Sequence, residues 1–395
     1  MQSSPLAHQV SRRSFVAGMT AGMAGLSGLV WPAAAAEQSG GLLVHSDSPM
    51  NAEPALADLV KSWMTPVDRF YIRSHAPVPK IDTDGFRLTV EGLVETPLSI
   101  SLTELSKEFD QHSVVATMTC AGNRRSEHSL VKPVKGVPWG AGPIGNAKWG
   151  GVRLSDVLEK AGLKPEARHV WFEGLDEIPR SSGTIPFGAS VPVAKALADN
   201  EAGPGTLLTT HMNDAPLTGD HGAPLRTVVP GYIGARSVKW LGRIVVADRP
   251  SENHYVATAY KLVEEGTPLE WSEQGPIYRM PLNAVICQPG KDASVASGKV
   301  QVAGYALPPG RPGTTIAKVE VSANGGRSWT TAKIVSPVRS GCWVLWQASV
   351  KVGDNTTELT VRAIDSRGEM QPENVRWNQK GYLFNAWHEV PITTL

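Results

Sequence analysis

Short stretches of alternating polarity dominate the chain. Residues 86–91 read Phe-Arg-Leu-Thr-Val-Glu, apolar and polar by turns, the pattern of a half-buried strand. Apolar positions at helical spacing predict a short helix over 102–109, with Ser101 or Thr103 as its cap. A second helix is predicted over 154–161, stopped by Gly162. Pro and Gly recur too often between these segments for long helices. No strand–helix–strand rhythm develops and no Gly-x-Gly-x-x-Gly follows a strand, which speaks against a doubly wound nucleotide-binding fold. From about residue 276 the texture changes. Residues 299–303, 317–321, 343–350 and 359–363 alternate with period two, and Asn324-Gly325 is a hairpin turn between two of these runs. That spacing predicts a small antiparallel sandwich. The fold expected is α+β, mainly β, in two domains.

The first thirty-six residues do not belong to that fold. Ser11-Arg12-Arg13-Ser14-Phe15-Val16 is a twin-arginine pattern, 16–30 is uncharged and modestly apolar, and Pro32-Ala33-Ala34-Ala35-Ala36 is a small-residue cleavage region. The apolar run is shorter than the ~20 residues that span a bilayer, so the segment reads as an export signal. The twin-arginine route carries mostly proteins that fold in the cytoplasm, often around a cofactor. A periplasmic protein, free of the membrane once the signal is removed, is expected. The organisation read from the chain is a signal over 1–36, a first domain over 37–275 and the sandwich over 276–395.

Charge narrows the function. The chain has 395 residues with 38 Lys+Arg and 37 Asp+Glu, a net charge of +1. Without Arg12 and Arg13, the only charges in 1–36, the balance falls to 36 against 37. Such a chain has no bulk field to hold nucleic acid or an anionic membrane; any anion recognition must be local. Three cysteines, Cys120, Cys287 and Cys342, exclude a disulfide-built scaffold, and the lack of Cys-x-x-Cys-His excludes c-type haem on this chain.

One segment concentrates chemistry. In Val115-Ala116-Thr117-Met118-Thr119-Cys120-Ala121-Gly122-Asn123-Arg124-Arg125 an apolar run meets a cysteine, a tight turn and two arginines. A thiolate is a soft metal ligand and a nucleophile, and adjacent guanidinium groups favour it over the thiol. Cys120 is therefore either functional or a buried thiol. Cys287 and Cys342 lie in apolar and Trp-rich runs and read as ordinary core cysteines.

This segment resembles the molybdenum-cysteine loop of the sulfite oxidase family, Cys-Ala-Gly-Asn-Arg-Arg. Further segments follow in family order: Phe70-Tyr71-Ile72-Arg73-Ser74-His75-Ala76-Pro77-Val78-Pro79, in which Ser74 replaces the usual Asn; Lys135-Gly136-Val137-Pro138-Trp139; Phe172-Glu173-Gly174-Leu175-Asp176; Gly219-Asp220-His221-Gly222-Ala223-Pro224-Leu225-Arg226; and Gly234-Ala235-Arg236-Ser237-Val238-Lys239-Trp240. Ala259-Tyr260-Lys261 is similar to the family's Asp-Tyr-Lys, and the C-terminal third resembles its dimerisation domain.

The resemblance implies a molybdopterin domain followed by an immunoglobulin-like dimerisation sandwich. It implies molybdenum on one molybdopterin, with Cys120 as metal ligand and Phe70, Tyr71, His75, Asp176, His221, Arg226, Ser237, Val238 and Lys239 around the cofactor. It assigns Arg73, Arg125, Trp139, Tyr260 and Arg339 to the substrate, sulfite, which is oxidised to sulfate by oxo transfer. Most like this chain are the haem-free periplasmic sulfite dehydrogenases of bacteria, which pass electrons singly to an external c-type cytochrome; a homodimer is implied. Three alternatives stay open: an oxygen-using sulfite oxidase, a molybdopterin reductase of an S-oxide, and a non-catalytic periplasmic binding or adhesion protein.

Overall fold

The computed structural model describes residues 38–39, 41–198, 205–268 and 275–395; the segment 1–36, read above as an export signal, lies outside them. Strands dominate and helices are short, so the architecture is α+β and mainly β. Helix Leu102–Glu108 begins at Ser101, whose hydroxyl accepts the Glu104 N–H while the Glu104 carboxylate accepts the Ser101 N–H. This capping box decides between the two candidate caps. Helix Leu154–Ala161 ends at Gly162, where φ is +71°. Its Leu154, Val157, Leu158 and Ala161 are buried.

Two five-stranded sheets frame the first domain. One runs Gly188–Pro192, His169–Gly174, Leu241–Ala247, Leu88–Gly92, Leu98–Ile100, with a parallel pair only between Leu241–Ala247 and Leu88–Gly92. Its apolar face and the helix Leu154–Ala161 share one core that includes Val90, Val157, Phe172 and Ile244. The other is built on the long antiparallel pair Gln111–Thr119 and Ile144–Arg153, extended by Leu207–Met212. Ahead of both, Leu42–Asp47 and Met50–Pro54 form a hairpin whose second strand pairs with Ile72–Arg73.

The C-terminal part is a sandwich. One sheet carries Asn283–Gln288, Gly298–Leu307, Val344–Val352 and Lys333–Ile334; the other carries Ala293–Val295, His388–Thr394, Glu358–Asp365, Ile316–Ser322 and Thr330–Thr331. Val302, Val319, Val344, Trp346, Val361 and Ala363 fill the space between them. All four alternating runs read from the sequence are strands here. The Asn324-Gly325 turn is wider than a two-residue hairpin: the chain returns only at Thr330, through a loop in which Asn324 Oδ1 accepts the Ser328 N–H at 2.9 Å. The Asn side chain organises the loop. Among the described residues no helix is long and apolar enough to cross a membrane.

Candidate active site

Strand Gln111–Thr119 runs into the interior and delivers Cys120, after which the chain turns into helix Arg125–Val131. The turn is closed by Asn123 N–H to the Cys120 carbonyl (3.0 Å) and Arg125 N–H to the Gly122 carbonyl (2.9 Å). Gly122 N–H points at the Cys120 sulfur at 3.4 Å. Segment 139–144 backs this loop: Cys120 N–H donates to Pro143, Arg124 N–H to Gly140 and Ser126 N–H to Trp139. That segment is pinned by a residue the sequence did not single out. The buried Glu53 carboxylate, from the first hairpin, accepts the N–H groups of Gly140 and Gly142 at 2.8 Å each and the His45 ring at 2.7 Å.

Cys120 opens onto a cleft of about 670 Å³, counted out to its mouth. Phe70, Tyr71, Arg73, His75, Asp176, His221, Arg226, Ser237, Lys239 and Tyr260 line it with Cys120. So do Ser74, Met118, Phe187, Asp220 and Trp240, which sequence reasoning did not assign. Ser74 and Asp220 sit inside motifs already read; their part is to place Lys239, whose Nζ donates to Ser74 Oγ (2.6 Å) and to the Asp220 carbonyl (2.9 Å).

Burial governs the charges. It pushes the Lys239 amine down to about 7, helped by the neighbouring Arg226 charge. Burial, with Arg226 and Lys239, takes His221 to about 3, and burial takes Arg226 to about 10. The Arg226 guanidinium donates to the carbonyls of His221 (2.8 Å), Ser237 (3.2 Å) and Thr227 (3.3 Å) and contacts no carboxylate. His75 is held neutral by burial and then by Arg73 and Lys239. Arginine can only donate, so His75 Nε2, 2.8 Å from Arg73 Nη2, is the acceptor. The Tyr260 hydroxyl leans on the same nitrogen at 3.3 Å. Burial raises the Tyr260 phenol, which therefore stays protonated and can donate.

Comparison with known proteins gives this arrangement its context. Residues 75–255 match the oxidoreductase molybdopterin binding domain, and residues 274–395 match the Mo-co oxidoreductase dimerisation domain. Sulfite oxidase of Gallus gallus is 41% identical over 362 residues, covering 88% of this chain and 77% of that one. Sulfite oxidase of Arabidopsis thaliana is 38% identical over 373 residues, covering 88% and 93%. The chain belongs to the sulfite oxidase family.

Among solved structures, the sulfane dehydrogenase SoxCD from Paracoccus pantotrophus superposes with a TM-score of 0.72 at 26% identity, covering 91% of this chain and 85% of that one. Against animal mitochondrial sulfite oxidases the chain spans 62–65% of their length.

Molybdenum on a molybdopterin is the cofactor this membership implies, and the residues present fit it. Cys120 offers a soft sulfur ligand. Arg226 and Lys239 are buried basic groups facing the cleft, and among the described residues no carboxylate is hydrogen-bonded to either, which suits an anionic group.

Four of the residues assigned from sequence do not line the cleft. Arg125 and Trp139 lie behind its wall: Arg125 donates to the carbonyls of Val137 (2.9 Å) and Lys380 (3.1 Å), and Trp139 packs edge-on against His45. Val238 is fully buried, its N–H bonded to Thr227 Oγ1 at 2.7 Å. Arg339 is elsewhere. It is exposed, with its guanidinium carbon 5.6 Å from the ring centroid of Trp63. Between it and the buried Trp343 and Trp346 the chain turns at Gly341, where φ is +73°. Arg124 also departs from expectation: it turns away from the sulfur and pairs with Glu127. Cys287 and Cys342 are buried and unbridged. Burial pushes the Cys342 thiol up to about 12 and raises that of Cys287 as well.

Proposed function

We propose that this chain oxidises sulfite to sulfate and passes the electrons one at a time to an external c-type cytochrome, as a homodimer in the periplasm. The observation that carries the substrate is the meeting, in one cleft, of the Cys120 sulfur with Arg73, a protonated Tyr260 and a buried cationic lining. The cofactor supplies two-electron oxygen-atom transfer. The chain's own residues bind and orient. Arg73 offers a planar fork to an oxyanion. Tyr260, neutral because buried, donates a hydrogen bond without adding charge. Neutral His75 accepts from Arg73 and so fixes its plane. In a desolvated cleft these donors act more strongly than in water and need no reorganisation during reaction.

Support for sulfite comes from the relatives named sulfite oxidases at 38–41% identity. The cytochrome rests on the missing Cys-x-x-Cys-His and the twin-arginine pattern, and the dimer on the match to a dimerisation domain. The test is anaerobic: sulfite-dependent reduction of cytochrome c by the molybdenum-loaded protein, with oxygen uptake as control. Cytochrome reduction without oxygen uptake is expected. Oxygen uptake alone would assign an oxidase, and neither would assign a different substrate. Sedimentation at micromolar concentration should show a dimer; a monomer refutes that part.

A further inference from the structure

A tongue of the C-terminal domain, residues 378–384, reaches the wall of the cleft and touches two segments that carry its chemistry, the Cys120 loop and the stretch around Tyr260. Leu383 N–H donates to the carbonyl of Ala121, next to Cys120, at 2.8 Å. The Lys380 carbonyl accepts from Arg125 Nε at 3.1 Å. Lys380 Nζ donates to the Thr258 carbonyl, and Gln379 N–H donates to the Val263 carbonyl at 2.9 Å, so the chain is gripped on both sides of Tyr260. The tongue is braced from within by Asn378, which accepts the Tyr382 N–H (3.1 Å) and donates to its carbonyl (2.9 Å). Leu383 sits at φ +56°, a left-handed conformation that a bulky residue keeps only where its surroundings over-determine it.

On this tongue Tyr382 links Tyr260, which lines the cleft, to Arg125, which lies behind its wall. Its ring stacks on that of Tyr260, with centroids 5.3 Å apart and planes at 21°. The Arg125 guanidinium carbon lies 5.1 Å from the centroid of the Tyr382 ring. A stacked aromatic pair and a cation over a ring each add attraction beyond simple area burial, and both depend on a planar ring at this place.

We infer that Tyr382 is a positioning residue of the substrate site: its ring, backed by the Arg125 guanidinium behind the wall, fixes the ring of Tyr260, so the C-terminal domain sets the direction of the hydroxyl that meets the oxyanion. The inference rests on the sulfite reading above. Arg125 keeps its carbonyl partners without Tyr382 but loses its platform, and Tyr260 loses the surface that stops its ring from tilting.

The test uses the molybdenum-loaded full chain and three variants. Tyr382→Phe keeps the ring. Tyr382→Leu and Tyr382→Met fill space without one. With ferricyanide as electron acceptor, the Leu and Met variants should raise KM for sulfite on the order of tenfold, with a smaller effect on kcat and unchanged molybdenum content. The Phe variant should stay within about twofold of wild type. The sulfate concentration that half-saturates thermal protection should rise in the same order, a readout independent of turnover. Wild-type KM in the Leu and Met variants, or a Phe variant as impaired as Leu, overturns the inference. So does failure of both Leu and Met to hold molybdenum, which would make Tyr382 a folding element. A wild type that neither turns over sulfite nor responds to sulfate overturns the substrate reading instead, before any variant is made.

Discussion

Replacing Arg124 by Met asks whether the turn after Cys120 is held by the C-terminal domain. Arg124 is fully buried. Its Nε and Nη2 donate to the two carboxylate oxygens of Glu127 at 2.7 and 2.8 Å. Nη1 donates to Asn283 Oδ1 (2.8 Å) and the Ala386 carbonyl (2.7 Å), and Nη2 reaches the Trp387 carbonyl at 3.1 Å. Met replaces much of the stem but none of the donors. Removing one member of a buried ion pair costs about 3–5 kcal/mol. The orphaned carbonyls and amide belong to the same network, so their losses overlap with that figure rather than add to it. Against a typical total of about 5–15 kcal/mol this is large. At about 2–4 °C per kcal/mol for units of 150–250 residues, the melting temperature should fall by roughly 6–20 °C. Thermal unfolding followed by circular dichroism measures it, alongside Glu127→Gln and the double variant. The double variant should be less destabilised than the sum of the singles, by about 0.5–3 kcal/mol. An Arg124→Met protein melting within about 2 °C of wild type, or additive singles, refutes the reasoning.

Cys120→Ser should abolish sulfite turnover while leaving the fold intact; full turnover with full metal content by mass spectrometry would refute the ligand assignment. Arg339→Ala should keep KM for sulfite within about twofold of wild type, because Arg339 rests on Trp63; a tenfold rise would bring it back to the site. In cofactor-free protein, Lys239 titrates near 7 instead of 10.5 and His221 near 3 instead of 6.5. Between those limits the unfolded chain binds a proton that the folded chain refuses. Stability therefore rises with pH through both windows, by up to about 1.4 kcal/mol per unit and group. Urea unfolding between pH 4 and pH 9 reads this out, and a flat profile contradicts it.

What the sequence disclosed was local. Period-two runs became sandwich strands, and the apolar spacing of Leu154, Val157, Leu158 and Ala161 became a buried helix face, because both patterns are properties of neighbouring residues. The Cys120 turn was legible for the same reason. Arg124 and Arg125 look equivalent beside a cysteine in the chain, yet Arg124 in a left-handed backbone points to the C-terminal domain while Arg125 packs on Tyr382. Adjacent residues face different ways at a helix start, and which neighbour is the cation's partner is a tertiary fact. Glu53 carries the same lesson further. Nothing in Met50-Asn51-Ala52-Glu53-Pro54 marks a carboxylate that will be buried against N–H groups 87 and 89 residues away. Arg339 carries the substrate only by resemblance across a disturbed Trp spacing, and the fold leaves it exposed against Trp63.

The charges of the cleft explain why so much distant structure converges on it. Arg226 is surrounded by carbonyl oxygens and the Met118 sulfur, which satisfy its donors and leave its charge uncompensated. Arg226 in turn depresses Lys239, and each lowers the pKa of His221. Held apart in water these groups would feel little of one another; buried together they repel. The groups stay together because their backbones are tied: Arg226–Val228 pairs with Leu207–Met212, Thr227 N–H donates to the Val238 carbonyl at 2.9 Å, and Val238 N–H donates to Thr227 Oγ1 at 2.7 Å. An anion entering the cleft compensates the Arg226 charge that its carbonyl partners leave standing. Binding energy then appears as stability, because any ligand that binds only the folded form shifts the folding equilibrium by its own occupancy. The same rigidity presents donors to the substrate with no cost of reorganisation. A softer scaffold would let the cations drift toward solvent, losing cofactor affinity and substrate orientation at once, which is why elements far from Cys120 belong to the chemistry of the site.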